Sequence, residues 1–140
     1  MAEAILRHLG GDRFQAFSAG THPAGYIHAL AFDALESLGI PVGELASKSI
    51  KDFADTPLDV VITVCDAAAA EPCPVWPGNP IRAHWSLPDP AHYPGTDDER
   101  RAFAILVAQR LKTKIDGLIA LNPNLQADEL RKRLEFLGEI

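Results

Sequence analysis

The most constraining feature of this 140-residue sequence is the apolar run Leu58–Val64, whose last five residues are all β-branched. A strand with one face in water alternates apolar and polar residues, whereas a strand covered on both faces is a nearly continuous apolar run. Parallel sheets are covered in this way because helices connect their strands. The run therefore predicts the central strand of a parallel sheet in an α/β fold.

The other segments alternate between strand and helix patterns, separated at short intervals by Gly and Pro. Strands are predicted at Arg13–Phe17, Leu58–Val64 and Ile81–Trp85. Four shorter helices are predicted at Met1–Leu9, Ile27–Leu38, Ser49–Phe53 and Ala67–Glu71. A long helix is predicted to begin at a capping box formed by Thr96 and Glu99 and to stop at Asn122-Pro123. A final helix is predicted around Leu130, Leu134 and Leu137, ending at Gly138. We interpret residues 1–140 as one domain, because this length suits one hydrophobic core.

Composition excludes several classes of function. A net charge of -6 and a pI near 5.2 argue against binding to nucleic acid, which needs clustered Lys and Arg. No apolar run approaches the roughly 18 residues that cross a bilayer, and the first residues do not resemble a secretory signal. We therefore expect a soluble, cytoplasmic protein with no membrane partner.

Two cysteines, Cys65 and Cys73, are the first candidates for chemistry. Cys65 directly follows the central strand, at the carboxyl edge where open α/β sheets place their ligands. Zinc is disfavoured because the C-x₂₋₄-C spacing is absent, and a permanent bridge is disfavoured in a reducing compartment. The alternatives that remain are two buried apolar thiols or a dithiol that cycles to a disulfide, and we expect the dithiol.

The beginning of the sequence does not fit a complete α/β layout. Such a sheet normally opens with a strand whose loop leads into the first helix, but here the chain starts inside a helix, with no N-cap residue. We expect that Met1 is an internal methionine and that a strand precedes it in the natural protein.

Seven short motifs occur together in one order and spacing. They are Met1-Ala2-Glu3-Ala4, Ser18-Ala19-Gly20-Thr21, Ser47-Lys48-Ser49, Val61-Ile62-Thr63-Val64-Cys65-Asp66, Pro72-Cys73-Pro74, His84-Trp85 and Leu87-Pro88-Asp89-Pro90-Ala91. In these motifs the chain closely resembles the arsenate reductases that share the low-molecular-weight protein tyrosine phosphatase fold. The resemblance covers residues 1–121, and residues 122–140 look like a C-terminal helical extension.

The resemblance implies a three-layer α/β fold with a four-stranded parallel sheet, here lacking the first strand and its phosphate-binding loop. In the family that loop contains a Cys-x₅-Arg motif directly before the Met-Ala-Glu that opens this chain. Backbone N–H groups at a helix N-terminus and the arginine guanidinium bind the oxyanion there. We expect the loop to lie upstream of Met1 and the 140-residue chain alone to be inactive.

The resemblance also implies a redox sequence for arsenic detoxification. The loop cysteine attacks arsenate, Cys65 attacks that cysteine and releases arsenite, and Cys73 resolves the mixed disulfide. Thioredoxin or glutaredoxin reduces the resulting Cys65–Cys73 disulfide. The resemblance further implies that the substrate is arsenate or another tetrahedral oxyanion, that no cofactor is needed and that the enzyme is a monomer. Eight helical steps would separate the two Cα atoms by about 12 Å, whereas a disulfide needs less than roughly 7 Å. The Ala67–Glu71 helix would therefore have to unwind on oxidation.

Asp89 matches the family's general acid, which protonates the leaving oxygen. Flanking prolines would fix its loop and aim the carboxyl group. The alternative is an ordinary aspartate in a proline-rich turn. His84 and Trp85 are expected to pack and form hydrogen bonds beneath that loop and not to act as catalysts.

Glu3, Ser18 and Lys48 match a supporting group of the family. Some relatives hold a potassium ion with residues at the Glu and Ser positions and an aspartate where Lys48 stands here. The Lys48 ammonium could supply that positive charge permanently, so we expect no metal requirement. The alternative is that Lys48 is an ordinary solvated side chain.

The sequence is therefore consistent with three functions. An arsenate reductase uses both cysteines together with the loop and Asp89. A low-molecular-weight protein tyrosine phosphatase needs the loop and Asp89 but has no use for Cys65 and Cys73. A non-catalytic truncated or degenerate homologue would need neither the loop nor the two cysteines.

Overall fold

The computed structural model describes residues 1–20, 23–43, 45–64 and 78–140. Its α-helices are α1 (Ala2–Gly10), α2 (Ala29–Ser37), α3 (Asp97–Ile119) and α4 (Ala127–Glu139). Short 3₁₀ helices span Gly11–Arg13, Ile50–Phe53 and Pro90–His92. The strands are β1 (Val60–Thr63) and β2 (Ile81–His84). These bounds confirm the predicted helices that lie within the described ranges and two of the three predicted strands.

The parallel sheet is confirmed, and in the described ranges it has two strands. β1 pairs with β2 in parallel, from Val60 opposite Ile81 to Thr63 opposite His84. An isolated parallel bridge joins Gly20 to Ser49. Both carboxyl ends of the strands consequently lie at the same edge.

The strand predicted at Arg13–Phe17 is wrong. Arg13 ends a 3₁₀ turn, and no strand is formed from there to residue 19. A strand persists only where a neighbour accepts its backbone hydrogen bonds. This pairing starts only at Gly20, whose N–H donates to the Lys48 carbonyl at 2.9 Å. The alternation of polar and apolar residues that suggested a strand corresponds in the structure to side chains that are alternately exposed and partly buried.

The core forms where the helices meet the sheet. α1 and α2 both pack on α3, and α4 packs on β2. The largest fully buried side chains are Ile5 in α1, Leu35 in α2, Leu134 in α4 and Trp85, which directly follows β2. In the described part of the chain, no helix is long and apolar enough to cross a membrane.

Lys114 is a buried cation that the sequence pattern did not single out. It lies on α3 and is only 2% exposed. Its ammonium donates to the carbonyl oxygens of Leu137, Gly138 and Ile140 at 2.9, 2.9 and 2.8 Å. The last carbonyls of a helix have no partner within the helix, so a lysine from α3 stabilises the end of α4. Burial, and then the charge of Arg110, lower the pKa of Lys114.

We expect Lys114→Met to lower the free energy of unfolding by about 2 kcal/mol, because one buried and two partly buried backbone contacts lose a charged donor. Urea denaturation followed by circular dichroism measures this change. Lys112→Met is the matched control, since Lys112 is 40% exposed and pairs with Asp116 on the surface of the same helix. Equal effects of the two substitutions would contradict the assigned role of Lys114.

Candidate active site

The carboxyl edge of the sheet brings two candidate segments together. Beyond the paired strands, the Trp85 N–H donates to the Thr63 carbonyl at 2.8 Å and the Leu87 N–H donates to the Val64 carbonyl at 3.1 Å. Val64 is followed in the sequence by Cys65, and Leu87 by Pro88-Asp89. The chain therefore approaches Cys65 and Asp89 from neighbouring positions on one edge.

Cys65, Cys73 and the predicted helix Ala67–Glu71 lie outside the described residues. Their pairing, and the unwinding expected on oxidation, stay predictions. What the structure gives is the anchored backbone up to Val64.

Asp89 is 58% exposed and begins the 3₁₀ helix Pro90–His92. Its Oδ1 atom accepts the Ala91 N–H at 2.9 Å, and its Oδ2 atom lies 3.2 Å from Nδ1 of His92. The backbone contact orients the carboxyl group while leaving it open to solvent. This geometry suits an accessible acid, and it is also the geometry of a turn aspartate.

The loop that carries Asp89 is fastened to α3. The ring of Tyr93 stacks on Phe103 with centroids 4.2 Å apart and planes at 17°. The Arg100 side chain donates from Nε to the Tyr93 carbonyl at 3.0 Å. Neither contact was predicted from the sequence, although the helical spacing of Arg100 and Phe103 puts them on one face of α3.

The packing of Trp85 and the hydrogen bonds expected of His84 and Trp85 are observed. Trp85 is 2% exposed, and its indole N–H donates to the Leu134 carbonyl at 2.8 Å. Nδ1 of His84 lies 2.7 Å from the Thr63 hydroxyl oxygen. Both side chains therefore hold the start of the segment that leads to Asp89.

Glu3, Ser18 and Lys48 meet in a second cluster. The Ser18 hydroxyl donates to Oε1 of Glu3 at 2.5 Å, and the Lys48 ammonium lies 3.0 Å from Oε1 and 3.3 Å from Oε2. Arg7 donates to Oε2 at 2.6 Å and was not predicted, although Glu3 and Arg7 stand four residues apart on one helix. The structure therefore brings the predicted group together and adds a fourth member.

The charge of Glu3 is strongly stabilised. The side chain is only 4% exposed, and burial by itself would raise its pKa. The hydrogen bonds from Ser18 and Lys48 and the charges of Lys48 and Arg7 outweigh burial, so the pKa of Glu3 is lowered. Glu3 is consequently a carboxylate at neutral pH, with each oxygen bound to cations.

The family model for low molecular weight phosphotyrosine protein phosphatases matches residues 1–132. The chain belongs to this family. Two similar relatives within the family are named arsenate reductases. The protein of Halalkalibacterium halodurans is 34% identical over 117 residues, which cover 81% of this chain and 83% of the relative. That of Bacillus subtilis is 34% identical over 103 residues, or 74% and 73% of the two chains.

Solved structures agree with this assignment. An arsenate reductase in its oxidized state has a TM-score of 0.68 and 27% identity, and one in a phosphate-binding state has a TM-score of 0.67 and 26% identity. Each comparison covers 85% of both chains. By family this phosphatase-fold protein is thus an oxidoreductase of the arsenate reductase type.

In this member of the phosphatase family, Glu3 links stability to pH. Its folded-state pKa lies below the ordinary value of 4.5, so the stabilisation is fully present above pH 4.5 and is lost as the pH falls through the folded-state pKa. We expect Glu3→Gln to lower the free energy of unfolding by about 2 kcal/mol at pH 7 and to flatten the pH dependence below 4.5. Thermal melts from pH 3 to 7 measure both effects.

Glu135→Gln is the control for that series, because Glu135 is exposed on α4. It should reproduce the pH profile of the parent protein. A parent profile that already lacks any fall in stability below pH 4.5 would contradict the role of Glu3.

Proposed function

We propose that this protein reduces arsenate to arsenite through a disulfide relay that ends at Cys65 and Cys73 and is reset by thioredoxin. The observation that carries the proposal is the shared sheet edge. The Thr63 and Val64 carbonyls accept N–H groups from the segment leading to Asp89, so a thiol relay and an acid would start from one anchored edge. The similar relatives named arsenate reductases support the same function.

The proposed relay balances in electrons. A loop cysteine displaces an oxygen of arsenate, and the thiol of Cys65 attacks the sulfur of that adduct. The sulfur–arsenic bond breaks, arsenic keeps the electron pair, and arsenite leaves. Cys73 then attacks the Cys65 sulfur and expels the loop cysteine as a thiolate. Thioredoxin, a dithiol, returns two electrons and two protons by exchange with the Cys65–Cys73 disulfide.

Asp89 is proposed as the acid that protonates the departing oxygen in the first step. The carboxyl group is open to solvent and oriented by the Ala91 N–H. Pro90 is buried, and the Tyr93–Phe103 stack holds the far side of the loop. A fixed, accessible acid reaches an oxyanion without a large movement of the backbone.

The loop cysteine is not among the two cysteines of the 140 residues. The proposed relay also needs a third cysteine, carried by a Cys-x₅-Arg loop, besides Cys65 and Cys73. A phosphotyrosine phosphatase would need the same loop but would leave Cys65 and Cys73 without a role, so we favour the reductase.

A potassium ion does not fit the Glu3 cluster of this chain. The ammonium of Lys48 already lies within 3.0 and 3.3 Å of the two carboxylate oxygens that would face such an ion. A second cation at that position would be repelled by both Lys48 and Arg7. We propose that Lys48 supplies the positive charge by itself.

We expect potassium and sodium chloride to give the same melting temperature for this protein, because the cation position is taken. The melting temperature of Lys48→Asp should rise more in potassium chloride than in sodium chloride, because three oxygen-bearing side chains then face one another. Lys51→Asp, on the exposed 3₁₀ helix Ile50–Phe53, is the control. A potassium-specific rise in the parent protein would refute the proposal.

The relay is tested by joining a Cys-x₅-Arg loop to the 140-residue chain. We expect the 140-residue chain to show no arsenate-dependent oxidation of NADPH with thioredoxin and thioredoxin reductase. A chain with the first strand and Cys-x₅-Arg loop of a similar relative fused ahead of Met1 should turn over. Mass spectrometry after turnover should find Cys65 joined to Cys73.

Two controls accompany the fused chain. Changing its loop cysteine to serine should abolish turnover, and Cys73→Ser should stop the reaction after a single turnover at the mixed disulfide. A fused chain that folds and hydrolyses a phosphate ester, yet never forms the Cys65–Cys73 disulfide, would favour the phosphatase.

A further inference from the structure

His84 makes a contact to β1 that the sheet itself does not require. Its Nδ1 atom lies 2.7 Å from the Thr63 hydroxyl oxygen and 3.0 Å from the Thr63 carbonyl oxygen. That carbonyl already accepts the Trp85 N–H at 2.8 Å. The side-chain pair is therefore an additional link across the last rung of the ladder.

The link holds in either protonation state of the imidazole. A neutral ring with its proton on Nε2 accepts the Thr63 hydroxyl at Nδ1. A ring protonated at Nδ1 donates to the oxygens of Thr63 instead. Valine has the same shape as threonine and suits a strand equally well, so among the described residues the hydroxyl group adds this one contact.

We propose that Thr63 and His84 form a positioning pair that fixes the carboxyl end of β1 and thereby the approach of the Cys65 thiol to its reaction partner. Only Val64 separates Thr63 from Cys65, and the Val64 carbonyl is held by the Leu87 N–H at 3.1 Å. The side-chain pair and the two backbone contacts thus fix both residues that precede the thiol. Holding a reacting group in place removes part of the entropic barrier to its reaction.

This inference rests on the proposed function, because it concerns the step that joins Cys65 to Cys73. With oxidised dithiothreitol as the oxidant, the two protein thiols lose two electrons and two protons. One sulfur–sulfur bond forms in the protein, and the reagent's bond breaks to give its dithiol. The step needs neither arsenate nor the loop cysteine, so it can be measured on the 140-residue chain.

We expect Thr63→Val and His84→Ala each to slow disulfide formation by about five-fold, the effect of one lost side-chain hydrogen bond. Thr63→Ser keeps the hydroxyl group, and His84→Asn keeps a polar atom near the position of Nδ1. Both should restore most of the rate. The Thr63→Val/His84→Ala double variant should be no slower than either single variant, because the two residues act as a pair.

Thr113→Val is the matched control, since the Thr113 hydroxyl donates to the Gln109 carbonyl at 3.1 Å on the exposed face of α3. It should leave the rate unchanged. Melting temperatures of all variants separate loss of positioning from loss of stability, and Thr63→Val remains a sufficient test if His84→Ala does not fold.

The outcomes are distinct. Unchanged rates in Thr63→Val and His84→Ala, with a normal rate in the parent, overturn the positioning pair and leave the relay standing. A rate loss that serine and asparagine do not restore also overturns it. A parent protein that forms no Cys65–Cys73 disulfide overturns the relay and the inference together.

Discussion

The parallel pairing of β1 with β2 is the interaction on which the rest of the structure depends. It joins Thr63 to His84 across 21 residues of sequence and continues beyond the strands, where the Trp85 and Leu87 N–H groups reach the Thr63 and Val64 carbonyls. Parallel strands need a long connection, and both cysteines fall within the segment between these two strands. One ladder therefore fixes where the segment that contains both cysteines starts and where the loop of Asp89 begins.

The C-terminal helix supports this ladder from one side. The Trp85 indole binds the Leu134 carbonyl, and the end of α4 is held by Lys114 from α3. A side chain at Gly138 would place its Cβ atom 2.7 Å from the His84 carbonyl oxygen, so only glycine permits the observed approach. Residues beyond the predicted family match at 1–121 thus contribute directly to the positions of His84 and Trp85.

The Glu3 cluster shows how a buried charge is accommodated. Burying a lone carboxylate is costly, and Ser18, Lys48 and Arg7 offset that cost with three hydrogen-bond donors, two of them cationic. The cluster connects α1 to the segments that contain Ser18 and Lys48, two residues that lie outside any helix or strand. The contacts that stabilise the fold therefore also place two cationic side chains beside this carboxylate.

The sequence by itself determined the α/β class, the two paired strands and the helices, because apolar periodicity and capping residues act over a few positions. It failed at Arg13–Phe17, where alternation indicated a strand but no strand of the described residues pairs with it, and it did not single out Arg7, Arg100 or Lys114. Only the tertiary structure decided that Ser18 and Lys48, 15 and 45 residues from Glu3, bind its carboxylate. It also decided that Lys114 ends α4 and that His84 meets Thr63. Such contacts depend on how elements distant in sequence pack together, and no local pattern encodes that geometry.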